Sequence, residues 1–212
     1  LDSRFFSNIL KIYFQSFPEA ERVDIAVLKS RIQNNQEELY FFTKRSLVIG
    51  FTALIYFDDL DFYFLDYFAI KNGFRGQNLG TQFLDVLKIK LQEKSKNIQI
   101  FCEIIRPDNS KINIQSVENR RITWYQKQNF TILWDHPYYL SYLSLLSKIC
   151  EEKGTFLILL EQNFPSHPMV LCYFSQPTKK IPKTIFTKII LSIFTRIYHV
   201  HPQSPFLSEW FG

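Results

Sequence analysis

The chain has few cysteines. The three among its 212 residues, Cys102, Cys150 and Cys172, are odd in number and form no CxxC pair. That excludes a disulfide framework as the basis of the fold and suits a reducing cytosol. Each is expected as a small, buried apolar residue. No unbroken apolar run reaches the ~18–20 residues that a membrane helix requires. Leu1, not Met, opens the chain, so an earlier segment is left open. Neither GxxxxGK(S/T) nor a GxGxxG opening a strand–helix–strand unit is found, so both standard nucleotide fingerprints are missing. Excess charge is small. A net +5 fits an anionic ligand or a faintly basic surface and falls short of a nucleic-acid footprint. The four histidines do not form a ligand set: His199 and His201 would splay to opposite sides of a strand, while His136 and His167 each precede proline. No metal is expected. Internal repeats and low-complexity linkers are also missing.

What is present is apolar bulk. The chain is 46% hydrophobic and 17% aromatic, with 22 phenylalanines, enough for a sizeable core. Residues 5–17 carry a helical stripe that Pro18 stops, and 23–32 read as a shorter helix. Three β-branched and aromatic runs, 38–43, 46–57 and 61–70, read as an antiparallel meander with turns at Lys44-Arg45 and Asp58-Asp59. A helix over 77–94, a strand over 98–105, a helix over 116–128 and a strand over 130–134 follow. Beyond these, a helix near 138–152 and strands at 156–162 and 168–174 are expected. The strand–helix–strand unit from 61 to 105 requires a right-handed parallel crossover inside an otherwise antiparallel sheet. The class is therefore α/β with a mixed sheet.

The stretch "GFRGQNLGTQFLDVL" (73–87) places two glycines and an arginine directly before a helical run. A helix opening on such a turn directs unpaired backbone N–H groups outward, ready for an anion. With the strand before it, "FLDYFAIKNGFRGQNLGTQFLDVL" resembles motif A of the GNAT superfamily of acyl-CoA N-acyltransferases. Two further stretches resemble the same family. "ENRRITWYQKQNF" (118–130) is similar to its later "N-x-x-A-x-x-F-Y-x-x-x-G-F" helix and strand, and "YFQSFPEAER" (13–22) to the "aFPxxER" that follows the first helix in some bacterial members. Together they span residues 5–134. The chain departs from the family pattern at Asn78, where the first glycine of GxG is usual, at Glu118, the usual Asn position, and at Arg121, where a small residue stands. Asn visits the left-handed region cheaply, so the turn survives Asn78.

The resemblance implies a GNAT-like fold: a mixed, mostly antiparallel sheet with a central parallel crossover and helices on both faces. It also implies acetyl-CoA as co-substrate. The turn Arg75, Gly76, Gln77, Asn78, Leu79, Gly80 and Thr81 would cradle the pyrophosphate, with Arg75 and the helix dipole adding positive potential. Phe68, Ala69 and Ile70 would pair with the pantetheine arm, one N–H polarising the thioester carbonyl. Tyr125 matches the tyrosine that protonates the departing thiolate. Glu103 is the candidate base, with Asp66 its rival; a carboxylate in an apolar strand needs a partner, and a structural Glu103 salt-bridged to Arg106 is the other reading. A water chain would need neither.

The implied activity is acetyl transfer from acetyl-CoA to an amine of a small molecule or peptide. The implied organisation is an acyltransferase domain over 1–174 with a basic amphipathic extension over 175–212, in a cytoplasmic monomer or homodimer without nucleic acid. Residues 175–200 hold five cationic side chains, Lys179, Lys180, Lys183, Lys188 and Arg196, and no acidic one. An apolar stripe from Ile185 to Tyr198 is expected to pack on the domain or a partner; contact of 181–200 with an anionic membrane is the alternative. Two other functions stay open: a GNAT-fold module that binds CoA or protein without catalysis, and a membrane-peripheral acyltransferase using longer acyl-CoA.

Overall fold

A computed structural model describes residues 3–105, 116–133, 169–176 and 181–198. The chain divides into two compact units, 1–101 with 175–177, and 102–174 with 178–212.

In the first unit the amphipathic N-terminus forms α1 (Ser3–Ser16). Pro18 ends it and leads into a single 3-10 turn, Glu19–Glu21. Asp24 caps α2 (Ile25–Gln33), accepting the Ala26 N–H at 2.7 Å. The meander follows as β1 (Glu38–Lys44), β2 (Leu47–Phe57) and β3 (Phe62–Ile70), each pair antiparallel. The first hairpin turns on Arg45 and Ser46, at φ +49° and +64°. It thus sits one residue later than the expected Lys44-Arg45, because two left-handed residues in succession give a turn whose twist matches the strands. The helix α3 (Leu79–Gln92) then crosses to β4 (Ile98–Ile105), which lies parallel to β3 at Tyr63↔Ile100 and Phe64↔Phe101. The strand order in this unit is β1-β2-β3-β4.

Helices lie on both faces of this part of the sheet. Ile9, Ile12 and Tyr13 of α1 and Leu28 of α2 pack with Phe51, Tyr67 and Ala69 on one face. On the other, Phe83 of α3 stacks between Phe42 and Phe68, at ring-centroid distances of 5.3 and 5.2 Å. The period-2 alternation of strands sorts Tyr67 and Ala69 from Phe68. Phe14, part of the apolar stripe in the sequence, is 52% exposed, with the Arg22 guanidinium over its ring.

A β-bulge shapes β3. Ala53 pairs with Tyr67 and Leu54 with Leu65, so Asp66 is the extra residue. The Thr52 hydroxyl donates to the Tyr67 carbonyl at 2.8 Å. Tyr67 in turn fastens the segment after α1: its hydroxyl donates to the Glu21 carbonyl and accepts the Val23 N–H, both at 3.1 Å. Asp66 meets Glu37, which is 2% exposed, and the Arg31 guanidinium 3.9 Å away. No N–H or O–H of the described residues satisfies either Glu37 oxygen or Asp66 Oδ2, so two ionised carboxylates here would be buried without donors, and a proton on one of them relieves this. Burial pushes Glu37 up to about 9, with the Asp66 charge adding to the effect. Burial also raises Asp66, to about 6, against the pull of Arg31. At neutral pH, then, Glu37 holds the proton and Asp66 is the anion beside Arg31.

In the second unit, the later half of β4 is followed by α4 (Val117–Lys127), β5 (Thr131–Ile132), β6 (Met169–Gln176) and α5 (Lys183–Arg196). The strand order is β4-β6-β5, with β5 and β6 antiparallel at Thr131↔Tyr173 and Ile132↔Cys172. The stripe of α5 is buried at Ile189, Ile190, Ile193 and Phe194, and Ile197 and Tyr198 beyond it are buried too; Ile185, at its start, is 37% exposed. The elements expected near 138–152 and 156–162 lie outside the described residues. Among the described residues no helix is long and apolar enough to cross a membrane. Among the described residues β1–β2, β2–β3 and β5–β6 pair antiparallel and β3–β4 parallel, a mixed sheet as the sequence led us to expect.

The Glu37 proton has a consequence for stability. Between its ordinary value of 4.5 and about 9, the unfolded chain releases a proton that the folded chain retains. Stability therefore falls as pH rises through that window and levels off above it. Glu37→Gln is expected to flatten this slope and to raise stability at pH 8, read by urea denaturation at several pH values. An unchanged slope would remove Glu37 as its source.

Candidate functional site

In the first unit the candidate site is the turn between β3 and α3. Three of its residues are left-handed: Gly73 at φ +84°, Gly76 at +76° and Asn78 at +59°. Asn78 precedes the first residue of α3 and takes this conformation where glycine would be the default. A Cβ built on Gly73 or Gly76 meets nothing within 4 Å, so the backbone surface there is open. The first intrahelical bond from the turn is Gln82 N–H to the Asn78 carbonyl, at 3.2 Å. Among the described residues the amides of Gln77, Asn78, Leu79 and Gly80 donate to no backbone carbonyl, the usual state of a helix start. Thr81 follows them in the first turn of α3.

Arg75 is anchored by two hydrogen bonds within the first unit. Its guanidinium donates to the Ile70 carbonyl (2.8 Å) and to the Ser16 hydroxyl (2.8 Å). It thereby joins the last residue of β3 and the last residue of α1 to the turn, and Gln77 closes the loop by donating to the Gly73 carbonyl at 3.0 Å. Arg75 still places a cation beside the amides, but its geometry is that of a clamp.

The strand Phe68-Ala69-Ile70 runs past the parallel ladder with β4 and pairs on its other edge with Thr52, Phe51 and Gly50. Gly50 is a positioning residue that the sequence reading missed. A Cβ there would stand 2.7 Å from Ile70 Cδ1 and 3.0 Å from the Ala69 carbonyl. Its only signal in the sequence is a lone glycine inside a β-branched and aromatic run.

In the second unit α4 carries Tyr125. Ser116 caps it, its hydroxyl accepting the Asn119 N–H at 3.1 Å, and Glu118 sits in the first turn, where an acid suits the dipole. At the other end Asn129 is left-handed (φ +66°), the second place where Asn stands for a family glycine. The Phe130 N–H reaches the Tyr125 carbonyl and the Asn129 N–H that of Gln126, both at 3.0 Å. Phe130 also packs on the Tyr125 ring, at 5.0 Å between centroids. These three contacts make a complete Schellman cap.

Tyr125 is 6% exposed. Its hydroxyl lies among the buried thiols of Cys102 on β4 and Cys172 on β6. Burial, followed by the two cysteines, pushes the phenol well above its ordinary value, with Arg121 acting the other way. The hydroxyl is thus protonated throughout the physiological range. Cys102 and Cys172 are free and buried, as expected, while Cys150 lies outside the described residues.

Glu103 is half-buried on β4. Its partner in the structure is Tyr198, whose hydroxyl donates to Glu103 Oε2; the expected partner, Arg106, lies outside the described residues. Asp66, the rival base, is engaged with Glu37 and Arg31 in the first unit. All four histidines lie outside the described residues, among which no cluster of three metal-ligating side chains occurs.

No family model matches the sequence, and no curated protein matches it. Solved structures do match. A GNAT-family protein of Bacteroides thetaiotaomicron, assigned as an acetyltransferase, superposes with a TM-score of 0.67 at 21% identity, over 94% of this chain and 95% of that one. An aminoglycoside 6'-N-acetyltransferase in complex with coenzyme A gives 0.56 at 10% identity, over 85% and 95%. The aminoglycoside 6'-N-acetyltransferase of Enterococcus faecium gives 0.55 at 10% identity, over 85% and 97%. The fold of the chain is that of the GNAT acetyltransferases.

The left-handed cap under Tyr125 can be checked directly. Asn129→Gly should leave stability within a few tenths of a kcal/mol, whereas Asn129→Val should cost about 1–2 kcal/mol in a denaturant titration. Equal stability of the two variants would mean that the backbone there is not left-handed in solution.

Proposed function

We propose that this GNAT-fold chain is an N-acetyltransferase that moves an acetyl group from acetyl-CoA to an amine of a small molecule or peptide. The observation that carries the proposal is the open turn before α3, where the amides of Gln77 to Gly80 and the left-handed Gly76 and Asn78 present donors without side chains in the way. Such a surface suits a diphosphate. Arg75, Thr81 and the dipole of α3 complete the cup, and Phe68, Ala69 and Ile70 hold the pantetheine arm by their backbone.

The chemistry follows from these assignments. The amine nitrogen, freed of a proton by Glu103, attacks the thioester carbonyl carbon. The charge that develops on oxygen is held by a backbone N–H of the Phe68–Ile70 strand, a contact worth about 3–4 kcal/mol in comparable sites. The carbon–sulfur bond then breaks, and the thiolate takes the Tyr125 proton. A phenol is a weaker acid than a thiol in water, so the transfer works only with the hydroxyl held in place. Residues 1–174 make up the acyltransferase domain, and 175–212 form an extension whose buried stripe leaves little apolar surface for a membrane.

One observation favours a second reading, a CoA-binding module without turnover: Tyr125 is buried, at 6% exposed, beside the Cys102 thiol. Calorimetry with acetyl-CoA, followed by thiol release against a panel of amines that includes spermidine, kanamycin, lysine and an alanyl peptide, separates the two. Binding with thiol release on at least one amine is expected; binding alone would favour the module. Tyr125→Phe should lower turnover roughly hundredfold with acetyl-CoA affinity unchanged, and full turnover would exclude Tyr125 as the acid. Gly76→Val should weaken acetyl-CoA binding about tenfold by straining the cup, so undiminished affinity would place the coenzyme elsewhere.

A further inference from the structure

The bond between Tyr198 and Glu103 joins two residues 95 positions apart. Tyr198 follows α5 and packs on Phe194, with ring centroids 5.8 Å apart. The hydroxyl it directs at Glu103 Oε2 belongs to a part of the chain in which no family motif was recognised. A phenol that keeps its own proton can only donate to a carboxylate. Such a donor favours the ionised form of the carboxylate and fixes the plane of the group. A base needs both, because it must be ionised at working pH and hold a lone pair in line with the proton it removes.

We infer that Tyr198 is a positioning residue for Glu103 and that the C-terminal extension thereby completes the proton-accepting side of the reaction. The amine proton passes to the Glu103 carboxylate, while Tyr198 retains its own. The inference rests on Glu103 acting as the base. Among the described residues of this unit, the Cys172 thiol of β6 also faces Glu103, and it stays neutral because burial raises it. The extension is thus a working part of the enzyme and more than a cover for its own apolar stripe.

The test uses the full chain labelled with 13C at the glutamate carboxyls, the Glu103 signal being the one lost in Glu103→Gln. Tyr198→Phe should move the midpoint of that signal to higher pH. With acetyl-CoA and the panel amine that releases most thiol, it should lower kcat roughly tenfold and move the acidic limb of the rate profile upward, with KM for acetyl-CoA unchanged. Phe194→Leu, which loosens the same packing without touching the hydroxyl, should leave the midpoint in place. Glu103→Gln should lose roughly a hundredfold in kcat, and the double variant with Tyr198→Phe should be no worse. If Glu103→Gln is impaired but Tyr198→Phe keeps the wild-type midpoint and rate, the role given to Tyr198 is wrong and the base stands. If Glu103→Gln turns over at the wild-type rate, or no panel amine reacts, the base reading fails and this inference falls with it. Equal losses in Tyr198→Phe and Phe194→Leu would reduce Tyr198 to packing.

Discussion

The guanidinium of Arg75 fixes the geometry on which the turn before α3 depends. A helix start always directs amides outward, but whether they converge on one point depends on how the preceding loop is anchored. Here one planar fork spans the final carbonyl of β3 and the hydroxyl that ends α1, both at 2.8 Å. A lysine at this position would offer a single point charge and could not hold both partners in one plane. The end of the strand, the start of α3 and the first helix are therefore held in register by one side chain. Gly50 does the complementary task from β2 by allowing Ile70 and Ala69 to approach where a Cβ would collide.

Two positions at which the sequence puts Asn in place of a glycine of the family pattern share one explanation. Asn78 and Asn129 both stand where glycine is usual, and both adopt positive φ. Asn is the side chain that loses least in the left-handed region, so each local turn is kept while the residue changes. In the second case the full set of cap contacts is present, down to the packing of Phe130 on Tyr125. The identity of the residue changed, and the backbone conformation it has to supply did not.

Buried ionisable groups are managed by proton placement. Glu37 retains a proton so that Asp66 can remain an anion beside Arg31 at the bulge of β3. Isolated charge in such a place would be costly, and sharing one proton between two carboxyls limits it to a single anion with a cation nearby. Asp66 is thus engaged within its own unit, whereas Glu103 has a tyrosine partner that donates without itself becoming charged. The contrast between the two acids lies in their partners.

Much of the architecture could be read from local pattern. Helical stripes, aromatic strand runs and Pro18 located α1, α2, α3, α4 and β1 to β4 to within two residues, because period and chain-breaking residues act over a few neighbours. The left-handed turn before α3 was also visible, since glycine, Asn and a following helix are local facts. Partners could not be read. Arg75 meets Ser16 across 59 residues and Tyr198 meets Glu103 across 95, and the bulge that exposes Asp66 to Glu37 is a property of two paired strands. The sequence by itself determined where helices, strands and left-handed turns lie; the tertiary structure alone decided which charged and hydroxyl groups face each other, because those pairings follow from packing between segments distant in the chain.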